Sequence, residues 1–267
     1  MTTVGRFLTA IGHEHRLEGE LLLAQQLNTS RAGIIANPDK EIPVECQPEL
    51  AQLANRLKAG EPFAYIFGEQ EFWGLSFKVS SQVLIPRPET ELLVELTVGF
   101  CGEGAAVHDL GTGSGAIAVA ISHERPDLRV SASDASDAAL KIARANARRH
   151  HTAVTFTHSD WFRSLNGTFE CIVSNPPYIA EADPHLPDLK YEPTSALVSG
   201  ADGLDALTHI IGNAANYLTK GGALVLEHGF DQGEKIMALL GEHGYDNVAA
   251  HVDLAGHHRA TTAIAPS

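Results

Sequence analysis

The stretch from residue 105 to residue 122 constrains the fold of this chain more than any other, because it joins an apolar strand to a helix through a glycine-rich turn. Residues 105–110 predict a buried strand, the sequence GTGSG follows at residues 111–115, and residues 116–122 predict a helix. Glycine adopts backbone angles that other residues avoid and allows a ligand to approach the main chain closely. The stretch therefore predicts a ligand-binding turn at the end of a strand.

After this turn, runs typical of strands alternate with longer runs typical of helices. Strands are predicted at residues 128–133, 153–157, 171–173 and 221–227, helices at 136–149, 204–218 and 232–240, and a closing pair of strands at about 247–253 and 259–264. Such alternation implies a parallel sheet with helices on both faces. We therefore predict an α/β domain with about seven strands.

The first 70 residues follow a different pattern, in which apolar side chains recur at helical spacing. Residues 4–11 and residues 50–57 each place four apolar side chains on one face of a helix. No catalytic group stands out among them. We therefore predict that residues 1–70 form a small helical domain that docks the substrate.

A change of period separates this helical region from the α/β domain. An alternating run at residues 73–79 precedes a second apolar run at 83–85, and together they predict a β-hairpin linker at residues 71–87. Two prolines then stiffen the chain before a helix at about 90–98. The catalytic domain is predicted to occupy residues 88–267.

Composition and charge exclude several classes of protein. The sequence has no apolar run near the roughly 18 residues that cross a membrane, and it begins without a charged-then-apolar signal segment. Its three cysteines are far apart, and its adjacent histidine pairs diverge on a helix or strand. A formal net charge of −14 disfavours binding to a phosphate backbone. We expect a soluble cytoplasmic protein with no metal site, no disulfide, and no membrane or nucleic-acid partner.

Acidic residues stand where the first three strands of the α/β domain end. Asp134 lies at the tip of the second strand, where a carboxylate can accept hydrogen bonds from both hydroxyls of a ribose. Asp160 and Trp161 follow the third strand and can meet an adenine ring. Asp109 ends the first strand, and Gly115 comes one residue earlier than in the dinucleotide-binding pattern. This arrangement is typical of methyltransferases that use S-adenosylmethionine, although a dinucleotide site would use similar groups.

The sequence SNPPY at residues 174–178 follows the fourth strand and supplies the chemistry of the candidate site. A planar NH2 group is a poor nucleophile, but the side-chain carbonyl of Asn175 and the backbone carbonyl of Pro176 can each accept one of its hydrogens. Tyr178 can pack its ring on the planar group. No general base is evident, so positioning and fixed dipoles are expected to contribute most to catalysis. The turn suits both an amide and a nucleobase amine.

Together these motifs resemble those of the glutamine methyltransferases that modify peptide chain release factors. The resemblance covers nearly the whole chain, and the sequence LIPRPETE at residues 84–91 contains its most family-specific run. Further matches are GEPFAYI at 60–66, EFWGL at 71–75, DLGTGSG at 109–115, SDW at 159–161 and NPPY at 175–178. The resemblance implies a seven-stranded Rossmann-like class I methyltransferase domain behind a small N-terminal helical bundle.

The resemblance also implies a reaction, in which S-adenosylmethionine methylates the side-chain amide nitrogen of the glutamine in the Gly-Gly-Gln loop of a release factor and so modulates translation termination. The catalytic residues implied are Asn175, Pro176 and Tyr178; the substrate contacts are Asn175, Pro176, Pro177 and Tyr178; the cofactor contacts are Asp109, Gly111, Thr112, Gly113, Ser114, Gly115, Asp134, Asp160, Trp161 and Asn175. We expect a monomer whose partner is the release factor.

Three other functions use some of the same features. An N6-adenine methyltransferase acting on DNA or RNA would use the same turn, but it requires a basic groove, and the first 70 residues hold no cluster of Lys and Arg. A nicotinamide-dependent oxidoreductase would use similar glycines and the same ribose acid. A non-catalytic binding protein would retain only the pocket.

Overall fold

The computed structural model of this protein describes residues 2–266, which divide into two compact units. The first unit extends to Gly68 and the second begins at Glu69. None of the described helices is long and apolar enough to cross a membrane.

The first unit is entirely helical, as its apolar periodicity predicts. Its helices are α1 (Val4–Ile11), α2 (Arg16–Gln26), α3 (Arg31–Ala36), α4 (Gln47–Lys58) and α5 (Phe63–Phe67), with a short 3-10 turn at Val44–Cys46. The side chains of Thr3 and Ser30 accept hydrogen bonds from main-chain N–H groups in the first turns of α1 and α3 and so cap them. Leu22 and Leu23 of α2 are fully buried in a core shared by these helices.

The second unit begins with a β-hairpin whose strands differ from those predicted. Strand β1 (Glu69–Phe72) pairs antiparallel with β2 (Leu75–Lys78), whereas residues 83–85, predicted as the second strand, are not in a strand. Trp73 and Gly74 both have positive φ, 55° and 68°, which is the requirement of a tight two-residue hairpin turn. A hairpin is present, but the predicted strand positions were wrong, because residues 73–79 were assigned to one strand whereas residues 73 and 74 form the turn.

A seven-stranded sheet forms the centre of the second unit. Its strands are β3 (Ala106–Leu110), β4 (Arg129–Asp134), β5 (Thr155–His158), β6 (Phe169–Ser174), β7 (Leu218–Glu227), β8 (Asp246–Val252) and β9 (His258–Ile264), in the order β5-β4-β3-β6-β7-β9-β8. The predicted strand count is confirmed. The sheet is not wholly parallel, because β9 runs antiparallel to both β7 and β8. A short connection between β8 and β9 allows only an antiparallel pair, since a parallel pair requires a crossover.

Helices cover both faces of this sheet, as the alternating pattern predicts. They are α6 (Glu91–Phe100), α7 (Ala116–Glu124), α8 (Asp137–Arg149), α9 (Asp205–Ala214) and α10 (Gly233–Glu242). Helices α6, α7 and α8 pack on one face, and α9 and α10 on the other. Along β6, Cys171 and Val173 point to the first face and Ile172 to the second, which is the alternation expected of a strand. Helix α9 ends at Ala214 rather than at Leu218, because Leu218 already belongs to β7.

The strand order determines where a ligand can bind. The chain passes from β3 outward to β4 and β5 and then returns to place β6 on the other side of β3. In open α/β sheets, the crevice at the carboxyl ends of the strands at such a reversal is the usual ligand site. The glycine turn after β3 and the SNPPY turn after β6 therefore meet at the same edge.

Candidate active site

A cavity of about 630 Å3 lies at this edge of the sheet, a volume typical of sites for small molecules. Its walls come from several separate segments of the second unit. They are residues 81–84, 86, 87 and 90, Gly111–Ser114, Ala116, Ile117, residues 134–136, Ala139, Ser159–Trp161, Asn175–Pro177, Pro193, Ser195 and Ala196. Most predicted site residues line this cavity, whereas Asp109, Gly115 and Tyr178 lie outside its wall.

The glycine turn is held in shape by main-chain contacts with the neighbouring strand. The N–H groups of Gly111 and Thr112 both donate to the Ser133 carbonyl at 2.9 Å. Gly115 has φ of 83° at the start of α7, and a Cβ there would lie 3.0 Å from Cβ and 3.1 Å from Cα of Ala143. Gly115 therefore permits close packing of the turn against α8 rather than contact with a ligand.

Asp134 faces the cavity and is fixed by the main chain on both sides. Its Oδ2 accepts from the Gly113 N–H at 2.8 Å, and its Oδ1 accepts from the Ser136 N–H at 2.8 Å. These bonds orient the carboxylate at the tip of β4, where the ribose-binding role is predicted. Each oxygen keeps a second acceptor position, so a hydroxyl-bearing ligand can bind without breaking either contact.

Asp109 lies beneath the turn and is completely buried. Its Oδ2 accepts from the Thr112 hydroxyl at 2.5 Å and from the Ala118 N–H at 3.2 Å. Burial raises the pKa of the Asp109 carboxyl to about 7, and the bond from Thr112 only partly offsets this shift. Asp109 therefore joins the glycine turn to α7. Its predicted contact with the cofactor remains a prediction.

The segment after β5 places an aromatic ring on the cavity wall. Trp161 has φ of 47°, an unusual value for a bulky residue. Ser159 stabilises this conformation, because its hydroxyl donates to the Trp161 carbonyl at 2.7 Å and accepts from the Ser164 N–H at 2.9 Å. Asp160 lies beside it and is exposed. The indole and carboxylate both line the cavity, and their contact with an adenine ring stays a prediction.

Asn175 projects into the cavity from the end of β6. The preceding Ser174 anchors the turn, since its hydroxyl donates to the Leu110 carbonyl at 2.6 Å. The Asn175 side chain donates through Nδ2 to the Thr90 hydroxyl at 3.1 Å, which leaves Oδ1 as a free acceptor. Among the hydrogen bonds formed within residues 2–266, none uses the Pro176 carbonyl oxygen. Two acceptors are thus available side by side.

Tyr178 is not part of the cavity wall. Its ring packs against the core between the sheet and helices α9 and α10, and its hydroxyl donates to Glu227 Oε1 at 3.3 Å. Burial, aided by the nearby charge of Glu227, raises the pKa of the Tyr178 hydroxyl. Stacking of this ring on a substrate therefore remains a prediction, and the observed contacts give Tyr178 a part in holding the turn.

Three residues with no role predicted from the sequence join separate segments near the cavity. Glu192, whose side chain is 2% exposed, forms an ion pair with Arg87 and accepts from the Ile85 N–H at 3.1 Å. Thr90 receives the hydrogen bond from Asn175, and Glu227 lies at the end of β7. The sequence did offer one signal for the ion pair between Arg87 and Glu192, because Arg87 is a charged residue flanked by two prolines.

Glu227 is almost fully buried, with 1% of its surface exposed. Burial is the largest influence on its carboxyl and raises its pKa to about 7, while the hydroxyls of Thr90 and Tyr178 and the charge of Arg259 act in the opposite direction. Within the described part of the chain, its Oε2 has no hydrogen-bond partner. No group of three or more His, Cys, Asp or Glu side chains in residues 2–266 is placed to hold a metal ion.

Two family profiles match separate parts of the chain. The PrmC N-terminal domain matches residues 2–68, and the Methyltransferase small domain matches residues 88–187. The first match coincides with the helical unit, and the second extends from the run before α6 beyond the SNPPY turn.

Curated relatives are similar over almost their whole length. The release factor glutamine methyltransferase of Coxiella burnetii is 46% identical over 96% of this chain and 94% of its own. The enzyme of that name from Burkholderia pseudomallei is 44% identical over 92% of this chain and 90% of its own. Among solved structures, a methyltransferase from Pyrococcus furiosus aligns with a TM-score of 0.56 at 18% identity, covering 83% of this chain and all of that one. This last likeness establishes only a shared fold.

Proposed function

This chain belongs to the release factor glutamine methyltransferases, and on that premise we propose that it methylates the side-chain amide nitrogen of the glutamine in the Gly-Gly-Gln loop of a peptide chain release factor. The family predicted from the motifs is confirmed, and so is its cofactor, S-adenosylmethionine. The observation that carries the proposal is the pair of acceptors, Asn175 Oδ1 and the Pro176 carbonyl, at the wall of the cavity.

The residues around the cavity suit the cofactor in shape and chemistry. Gly111 and Gly113 present main chain without side chains, Asp134 offers fixed acceptors to ribose hydroxyls, and Trp161 offers an apolar face to a purine. When bound, S-adenosylmethionine supplies an activated methyl group. Its sulfonium is cationic and carries no phosphate, which agrees with a cavity wall that includes the carboxylates of Asp134 and Asp160 and in which the cation Arg87 is paired with Glu192.

The Asn-Pro-Pro turn would prepare the amide nitrogen for transfer. A primary amide has two N–H hydrogens, and Asn175 Oδ1 and the Pro176 carbonyl can each accept one. Two such bonds fix the orientation of the nitrogen and increase its electron density, and holding reactants in one geometry can contribute about 7 kcal/mol or more to lowering the barrier. The proton of the methylated amide leaves to water or to an acceptor in the turn.

A nucleic-acid substrate is disfavoured by the charge of the chain and by its relatives. The formal net charge is −14, and affinity for nucleic acid depends on clustered positive charge. We propose that the protein acts as a monomer in the cytoplasm without a nucleic-acid or membrane partner, and that residues 1–70 dock the release factor. Sedimentation at micromolar concentration, alone and with the release factor, tests the monomeric state and the association with the release factor.

Mass spectrometry that localises the methyl group tests the proposed reaction. The purified protein is incubated with S-adenosylmethionine and an intact release factor, and in parallel with DNA and RNA. We expect one added methyl on the glutamine of the Gly-Gly-Gln loop and none on the nucleic acids. An unmodified glutamine would overturn the substrate assignment, and methylated adenine would establish the rival function.

A further inference from the structure

The side-chain amide of Asn175 works only in one of its two orientations. A half-turn about the last bond exchanges Oδ1 with Nδ2 at almost no steric cost. In the productive orientation, Oδ1 faces the substrate NH2 and accepts a hydrogen. In the other, two NH2 groups face each other and neither can accept. Something in the protein must therefore distinguish the two orientations.

Thr90 is the group in contact with the Asn175 amide. Its Oγ1 accepts from Nδ2 at 3.1 Å, and this contact favours the productive orientation. A hydroxyl, however, can also donate, and a Thr90 hydroxyl that donated to Asn175 would favour the wrong orientation. Thr90 has a single hydroxyl hydrogen and is only 4% exposed, so the direction of the contact depends on which buried group takes that hydrogen.

Glu227 is a buried carboxyl whose pKa the Thr90 hydroxyl lowers, as a nearby donor would. Tyr178 donates to its Oε1. Among the described residues Oε2 has no formed hydrogen bond, so the carboxyl retains an acceptor position. An ionised carboxylate can only accept, and it therefore commits the Thr90 hydrogen to itself.

We propose that Glu227 and Thr90 are positioning residues that fix the direction of hydrogen bonding at Asn175, so that its Oδ1 faces the amide to be methylated. Three segments far apart in the chain form this relay: β7 supplies Glu227, the run before α6 supplies Thr90, and the turn after β6 supplies Asn175. The inference rests on the proposed function. It adds two residues, Glu227 and Thr90, that are not among the substrate contacts predicted from the sequence.

The relay predicts that turnover depends on the ionisation of Glu227. Protonated, the carboxyl can donate to Thr90, and the direction of the bonds is no longer fixed. The charged and titratable groups that act on Glu227 are Tyr178, Arg259 and Glu89, of which Arg259 favours the ionised form and Glu89 the neutral one. Because the pKa of Glu227 lies at about 7, kcat should rise with pH across neutrality.

Three variants of buried threonines test the relay. Thr90→Val keeps the shape but removes the hydroxyl, and it should lower kcat roughly 10- to 100-fold, since small errors of placement have effects of this size. Thr90→Ser retains the hydroxyl and should recover most of the loss. Thr97→Val is the matched control, because Thr97 is also buried, lies on α6 and is not part of the cavity wall. It should leave kcat unchanged.

The Glu227→Gln variant tests the direction of the relay. A glutamine of nearly the same shape cannot ionise and carries its own donors. We expect kcat at pH 8 to fall roughly fivefold or more, and the rise across neutral pH to disappear, while the KM for the release factor and the Kd for S-adenosylmethionine stay within about twofold. In 15N-labelled protein, Thr90→Val should also speed hydrogen exchange at the Asn175 side-chain amide.

The outcomes separate this inference from the proposed function. Wild-type protein that leaves the release factor unmodified contradicts the proposed function. Wild-type protein that methylates, with Thr90→Val equally fast or Thr90→Ser as slow as Thr90→Val, contradicts the relay alone. A pH profile that is the same in wild type and Glu227→Gln also contradicts it.

Discussion

Two turns meet at the cavity, the cofactor turn at residues 111–115 and the amide turn at residues 174–178, and they are built in different ways. In the cofactor turn, Gly113 bonds to Asp134, 21 residues away; Gly113 follows β3, and Asp134 ends the adjacent strand β4. In the amide turn, Asn175 bonds to Thr90 across 85 residues, and the neighbouring Arg87 pairs with Glu192 across 105. The cofactor turn is thus a local device, whereas the amide turn is assembled by long-range contacts. The first depends on contacts within its own part of the chain, and the second depends on segments far away in the sequence.

The comparison predicts that the two turns can be disabled separately, and Asn175→Ala should show the largest effect. Removal of the acceptor should lower kcat by about 100-fold or more, the usual cost of losing one positioned polar group at a reacting centre. The Kd for S-adenosylmethionine, measured by calorimetry, should change only a few-fold. Near-normal kcat in a folded variant would refute the role of Asn175.

The cofactor turn should be disabled by Gly115→Ala. The new Cβ would approach the α8 backbone at Ala143 to within 3.1 Å in a left-handed conformation, and we expect a loss of about 3 kcal/mol in the free energy of unfolding together with weaker cofactor binding.

Gly104→Ala is the control for this variant. Gly104 also has positive φ, 69°, but a Cβ there meets no heavy atom within 4 Å. Gly104→Ala should lower the free energy of unfolding, measured by chemical denaturation, by only about 1 kcal/mol. Cofactor binding should stay intact. Equal losses in the two variants would show that backbone strain, rather than contact with α8, explains the need for glycine.

Sequence alone predicts the cofactor turn better than the amide turn because the contacts of the first lie within one strand-turn-helix-strand unit. Spacing was enough to place Asp134 at a strand tip and Gly111 at the cavity. The same reasoning assigned Tyr178 a contact with the substrate, which stays a prediction; it did not reveal the bond from its hydroxyl to Glu227, since a motif does not show which way a ring turns. The hairpin strands were displaced because Trp73 occupies a left-handed position that its residue type does not suggest.

Asp109 beneath the cofactor turn should make stability depend on pH. Its pKa is raised to about 7 by burial, so the folded state favours the neutral carboxyl, and stability present below about pH 4 is lost as pH rises through 7. Relative to Asp109→Asn, wild type should lose on the order of 2 kcal/mol in free energy of unfolding between pH 4 and pH 8.

Asp127→Asn provides the contrast for this measurement. The hydrogen bond from Arg125 lowers the pKa of the Asp127 carboxyl to about 2, so its stabilisation is present above the unfolded pKa and is lost only as pH falls below about 4. The variant should therefore keep the wild-type slope between pH 4 and pH 8. A wild-type curve parallel to that of Asp109→Asn over this interval would argue against a neutral Asp109.

The ion pair behind the amide turn should show the smallest effect. Arg87→Met leaves the buried Glu192 carboxylate without its charged partner, but Arg87 is itself 36% exposed, so we expect a loss of only about 1 kcal/mol in chemical denaturation. Arg149→Met is matched to it, because Arg149 is 34% exposed and its partner Glu69 is 33% exposed. Arg149→Met should lower the free energy of unfolding by less than Arg87→Met does. A larger loss in Arg149→Met than in Arg87→Met would contradict a structural role for Glu192.

The most direct test of the account is a crystal structure of the protein with S-adenosylhomocysteine and a peptide containing Gly-Gly-Gln. We predict that the glutamine nitrogen lies about 3 Å from both Asn175 Oδ1 and the Pro176 carbonyl, with Asn175 Nδ2 still bonded to Thr90 and the ribose hydroxyls on Asp134. A glutamine nitrogen bound elsewhere, or Nδ2 of Asn175 turned towards the substrate, would contradict the account.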